Sequence, residues 1–106
     1  MTQQVPRSSP RHPVRLAAHC RTLDGQAEEG ELFDISLEGC CVRTPSGFFR
    51  VGGRVVVLPE GLDGQSGIVR WSRGEMAGVE FDQPVRPMLV EELAARHGVD
   101  VLTDRR

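Results

Sequence analysis

Period-two alternation of apolar and polar residues opens the regular part of the chain. In Val14-Arg15-Leu16-Ala17-Ala18-His19-Cys20-Arg21, residues Val14, Leu16, Ala18 and Cys20 share one face, and Arg15, His19 and Arg21 share the other. That is the pattern of a half-buried strand. Asp24-Gly25 signals a turn, and a second strand is expected from about Glu28 into Asp34. Asp34-x-Ser36-x-x-Gly39 reads as a tight turn, in which Asp and Ser accept hydrogen bonds and Gly supplies positive φ. A third strand runs through Arg43, Thr44-Pro45-Ser46-Gly47 breaks the chain, and Phe48-Phe49 is expected to fold back onto the core. After Gly52-Gly53, the run Arg54-Val55-Val56-Val57-Leu58 is apolar on both faces and is expected to be well covered. A loop from Pro59 through Gly64 follows. Residues 66–73 form the next strand, with Val69 and Trp71 expected on one face. Gly74-Glu75 turns the chain into Met76-Ala77-Gly78-Val79-Glu80-Phe81, with Ala77, Val79 and Phe81 inward and Glu80 outward.

From Pro87 to His97 the spacing becomes helical. Leu89 and Leu93 fall at i, i+4 with Val90 and Ala94 beside them, Pro87 suits the first helical position, and Gly98 suits the position just past the end. Short strands with glycine turns and one terminal helix imply an all-β protein, a small antiparallel barrel closed by a C-terminal helix. The expected division is an irregular arm over residues 1–13, punctuated by Pro6, Pro10 and Pro13, then a barrel with its helix over 14–98, and a frayed tail over 99–106.

With 106 residues there is material for one core. No stretch approaches the ~18 apolar residues of a membrane span, and Met1-Thr2-Gln3-Gln4-Val5-Pro6 has no apolar signal region. The expected location is the cytoplasm. Cys20, Cys40 and Cys41 are odd in number, lack C-x-x-C spacing and sit in apolar runs, so they read as buried thiols rather than metal ligands or a redox pair. The formal net charge of −2 argues against broad binding of nucleic acid or of an anionic membrane surface, and with no apolar span no membrane insertion is expected. Its distribution is more telling: no acidic residue precedes Asp24, yet Arg7, Arg11, Arg15 and Arg21 do.

Two polar elements then stand out, Arg7-Ser8-Ser9-Pro10-Arg11 ahead of the first strand and Asp34-x-Ser36-x-x-Gly39 after the second. Read only as residues, the arginines fit solvated charges near a terminus, and Asp34 and Ser36 fit groups that satisfy a turn. Together, in this order, they resemble the PilZ domain, whose hallmark is R-x-x-x-R plus [DN]-x-S-x-x-G. The resemblance covers about residues 7 to 82 and takes in the hairpin of Ile68-Val69-Arg70-Trp71 and Ala77-Gly78-Val79-Glu80-Phe81. It implies a six-stranded barrel and a receptor for the bacterial second messenger cyclic diguanylate (c-di-GMP).

That ligand offers guanine O6 and N7 to an arginine fork, N1–H and N2–H₂ to a carboxylate, and phosphates to arginine. By the resemblance, Arg7 and Arg11 grip guanines and phosphates from the arm. Asp34 and Ser36 present acceptors or hydroxyl from the barrel, and Gly39 lets the backbone approach closely. One of Arg15, Arg43 and Arg70 completes the site, and the sequence does not choose among them. His12, His19 and His97 read as surface residues. No G-x-S-x-G, H-E-x-x-H, phosphate-binding loop or carboxylate pair points to catalysis. No cofactor or metal is implied beyond the ligand, and a downstream protein partner is. The alternative is a ligand-independent interaction scaffold. Three departures support it: Pro6 next to Arg7, Pro10 within the arm, and Glu38 between Ser36 and Gly39.

Overall fold

A computed structural model describes residues 9–99. Six strands precede one helix: β1 (His12–Thr22), β2 (Ala27–Ile35), β3 (Gly39–Arg43), β4 (Arg54–Pro59), β5 (Gln65–Arg73), β6 (Met76–Phe81) and α1 (Pro87–His97). They close into a barrel in the order β1-β2-β3-β6-β5-β4, every neighbouring pair antiparallel. Closure leaves no free edge for another chain to pair with. The barrel with its C-terminal helix is the architecture that the short strands and glycine turns imply.

The alternation in β1 is followed residue by residue: Val14, Leu16, Ala18 and Cys20 are buried, and the residues between them are not. They meet Leu32, Ile35, Cys40, Val42, Val55, Val57, Val69, Ala77, Val79 and Phe81 in one core. Phe49 is buried in it and Phe48 packs against it, so the break after β3 returns the chain to the core as expected. β1 begins at His12, so His12 and Pro13 belong to the strand rather than to an irregular arm. Pro13 is tolerated because it lies where the β1–β2 register slips, and its carbonyl accepts from the Val99 amide at 3.1 Å.

Two expectations about faces are corrected. In β4, Val55 and Val57 point inward, but Val56 is half-buried and Leu58 is exposed. The barrel wall is one layer thick there, and the helix packs against β1 instead. Trp71 does not share the inner face with Val69. β5 pairs Val69 with Val79 and Trp71 with Gly78, so Arg70 is an extra residue and both Arg70 and Trp71 turn outward. Gly98 follows α1, but at φ −64° it adopts no left-handed cap. It bridges to Val14, and a side chain there would meet the Ala94 carbonyl oxygen at 2.2 Å. Pro87 opens the helix, while Val90 and Leu93 supply its buried face.

All three cysteines are free and buried. Burial, with help from Glu29 and Glu28, pushes the Cys20 thiol from the ordinary 9.0 up to about 12. Burial and then Asp34 push Cys41 to about 11, against a smaller opposing pull from Arg11, and Cys40 moves in the same direction. The folded protein therefore holds these protons to higher pH than the unfolded chain does. Their contribution to stability is complete below about pH 9 and is lost as pH climbs through 11 to 12. The chain has no lysine and no tyrosine, so few other side chains titrate in that window. We expect the urea midpoint to be flat from pH 8.5 to 9 and to fall above it. Replacing Cys20 and Cys41 by alanine should make the fall shallower, with Cys40 left to carry the rest, as read by denaturant titration across pH.

Candidate functional site

The D-x-S-x-x-G turn joins β2 to β3 and is held by its own polar groups. The Ser36 hydroxyl accepts from the amides of Glu38 and Gly39, both at 3.2 Å, and the Ser36 amide donates to the Gly39 carbonyl at 2.9 Å. Two more carbonyls of the turn accept from the chain across it: Glu38 from the Phe81 amide at the end of β6 at 2.8 Å, and Leu37 from the Val85 amide, between β6 and α1, at 2.9 Å. Gly39 is not needed for positive φ, contrary to the sequence reading, because its backbone is not in that region. It is needed for closeness: a Cβ there would lie 2.3 Å from the Val79 carbonyl oxygen of β6. The close backbone approach at Gly39 is thus made to a neighbouring strand.

Asp34 reaches the outer surface through a bulge. β2 pairs Leu32 with Val42 and Asp34 with Cys41, leaving Phe33 as the extra residue. Leu32 and Ile35 are therefore both buried, and Phe33 and Asp34 are both directed outward. There Asp34 accepts a hydrogen bond from Arg11 Nη1 at 2.8 Å. Arg7 lies outside the described residues.

Beside this pair runs a cleft of about 610 Å³, walled by Ser9, Arg11, Ser36, Glu38 and Gly39 on one side and by residues of β5 and β6 with Asp82 and Pro84 on the other. Its size lies within the roughly 300–1,000 Å³ of small-molecule sites. Of the residues singled out in the sequence, Arg11, Ser36 and Gly39 are on the wall, and Asp34 joins it through its bond to Arg11. Among the three further arginines, Arg70 lines the cleft. Arg15 lies 4.8 Å over the Phe33 ring and near Glu31, and Arg43 donates to Glu75 at 2.7 Å beside the β5–β6 turn. Trp71 is also on the wall and was missed, because period-two counting carried it inward. Its one sequence signal is Gly78, a glycine inside a strand, which marks a close approach of something large.

Ion pairs stand on and beside the walls of the cleft. Arg11 holds Asp34, Arg70 donates to Glu80 at 2.6 Å, and Arg54 donates to Asp82. Among the described residues no cluster of histidine, cysteine and carboxylate side chains could hold a metal ion, and no helix is long and apolar enough to cross a membrane.

Compared with models of known families, the sequence matches the PilZ domain over residues 6–95. The chain belongs to the PilZ domain family. PilZ domains are binding and receptor modules, generally for c-di-GMP, and the family is not a catalytic one. No curated protein matches the chain, so no characterised relative narrows this further.

The geometry separates the motif's structural work from what is left for a ligand. Ser36→Ala strands the buried Gly39 amide and the part-buried Glu38 amide, a loss of about 1–3 kcal/mol. Gly39→Ala forces β3 off β6, with overpacking of about 1–3 kcal/mol. Asp34→Ala removes only a half-exposed ion pair, worth about 0.2–1 kcal/mol. Thermal unfolding of the three variants should rank Asp34→Ala clearly mildest; equal losses in all three would contradict this division.

Proposed function

We propose that this PilZ domain is a c-di-GMP receptor in which Arg7, Arg11, Asp34, Ser36 and Gly39 form the binding element. Ligand orders the segment ahead of β1 over the cleft, and the reshaped surface acts on a partner protein. The observation that carries this is the Arg11–Asp34 contact at 2.8 Å beside a cleft of ligand size. It joins the two sequence elements, 23 residues apart, where the β1–β2 register sets His12 against Ile35 and Pro13 against Asp34.

The exchange is favourable on chemical grounds. Without ligand, Arg11 and Asp34 neutralise each other at a half-exposed position, worth about 0.2–1 kcal/mol. A cyclic guanine dinucleotide offers each a replacement: phosphate or the O6/N7 edge for the guanidinium, and N1–H and N2–H₂ for the carboxylate. Charged hydrogen bonds of this kind contribute about 1.5–3 kcal/mol each. That gain must exceed the cost of fixing the arm, about 1–2 kcal/mol per residue ordered. The arm therefore acts as a disorder-to-order switch. The same reading puts the protein in the bacterial cytoplasm, where this messenger is made and read.

The scaffold reading draws on the acidic wall, since Glu38, Glu80 and Asp82 face the cleft. Paired cations at Glu80 and Asp82 weaken that objection. Calorimetric titration with c-di-GMP decides between the two. We expect Arg7→Ala and Arg11→Ala each to weaken binding roughly 10- to 150-fold, and hydrogen exchange in the segment ahead of β1, residues 1–11, to slow on ligand addition. Absence of heat at tens of micromolar c-di-GMP, with a partner protein retained, establishes the scaffold instead.

A further inference from the structure

The far wall of the barrel carries a hollow that neither polar motif reaches. In the strand order β1-β2-β3-β6-β5-β4, the seam between β4 and β1 stands opposite the seam between β3 and β6, where the cleft lies. The β1–β4 ladder runs from Thr22 opposite Val55 to Ala18 opposite Pro59, and the Glu60 amide adds one more bond, to the Ala17 carbonyl at 3.0 Å. Gly61, at φ +84°, then turns the chain, and the Leu62 amide donates to the Pro59 carbonyl at 3.0 Å. Between this loop and β1 lies a groove of about 480 Å³.

Its lining is apolar where the two strands meet. Ala17 of β1, Leu58 of β4 and Leu62 of the loop border it, and Leu58 is 40% exposed. Val56, two residues back on the same outer face of β4, is half-buried and extends the apolar strip. One exposed leucine on a strand calls for no explanation. Several aliphatic side chains around one concave surface do, because such patches mark places where something docks.

Charge at the rim decides what kind of partner fits. Glu29, Glu60 and Asp63 line the groove and no arginine does, in a chain with 13 basic side chains. Elsewhere each carboxylate carried by a strand has a partner: Ser46 for Glu28, His19 for Glu29, Arg15 for Glu31, Arg11 for Asp34 and Arg70 for Glu80. Glu60 and Asp63 have no cationic partner among the described residues. Bare carboxylates beside an apolar floor repel an acidic surface and leave a neutral one with nothing to pair. We propose that this groove docks a basic amphipathic segment of a partner protein, its apolar side chain on Leu58 and its cations beside Glu60 and Asp63. The groove and the cleft are on opposite walls, so the docking surface stands independently of the receptor reading.

The test uses a fluorescently labelled synthetic peptide of lysine and leucine at helical spacing, titrated with the full chain in the absence of c-di-GMP and read by anisotropy. Two control peptides of equal length replace leucine by serine or lysine by glutamate, and both should bind far more weakly. Leu58→Ala should weaken binding of the lysine–leucine peptide roughly 5- to 30-fold. Glu60→Gln combined with Asp63→Asn should weaken it and reduce its sensitivity to salt. Glu75→Gln, beside the β5–β6 turn, should leave it unchanged. All four side chains are exposed, and urea denaturation should show every variant folded. No binding of the lysine–leucine peptide, equal binding by Leu58→Ala, or an equal loss in Glu75→Gln overturns the proposal. So does a wild-type dimer in sedimentation that Leu58→Ala converts to monomer, because a second copy then covers the groove.

Discussion

Closing six short strands into a barrel is the constraint on which the rest of this structure depends. A closed sheet must stagger its register and bend its strands, and bulges are a means of doing both. Here the slips fall at Pro13/Leu16 in β1, Leu32/Asp34 in β2 and Val69/Trp71 in β5. Two of them put a pair of consecutive side chains outside, Phe33 with Asp34 and Arg70 with Trp71. The cleft lies between those pairs. The distortion that lets the sheet close is also what brings a carboxylate and an indole to the outer surface, so the site is a by-product of closure rather than an addition to it.

The same slips mark where the sequence could and could not be read. Simple alternation holds in β6, and in β1 from Val14 onward despite the slip at its start: both inward faces are as counted. Pro87 and the i, i+4 leucines mark the helix to its terminal residues. The polar elements were legible because Arg, Asp, Ser and Gly at fixed offsets are rare in combination. Trp71 was not, since one extra residue inverts every later assignment in a strand and leaves no compositional trace. The outer face of β4 failed for another reason. Val56 and Leu58 look like residues of a doubly covered strand, but whether a second layer exists depends on where α1 packs, and that is set by distant residues.

The turn motif also has to be weighed differently once its contacts are known. Ser36 satisfies the turn's own amides, and Gly39 admits the β6 backbone. A barrel of this kind needs both whether or not anything binds to it. Finding D-x-S-x-x-G in a sequence is thus strong evidence for the seam between β2, β3 and β6 and weaker evidence for a ligand.

Arg11 and Asp34 stand in the opposite position. Neither is in the core, the barrel closes without their contact, and an ion pair so exposed adds little to stability. Residues that the fold does not require are the ones whose presence calls for another explanation. Arg11 and Asp34, beside a cleft of ligand size, are therefore the residues that a bound ligand explains best.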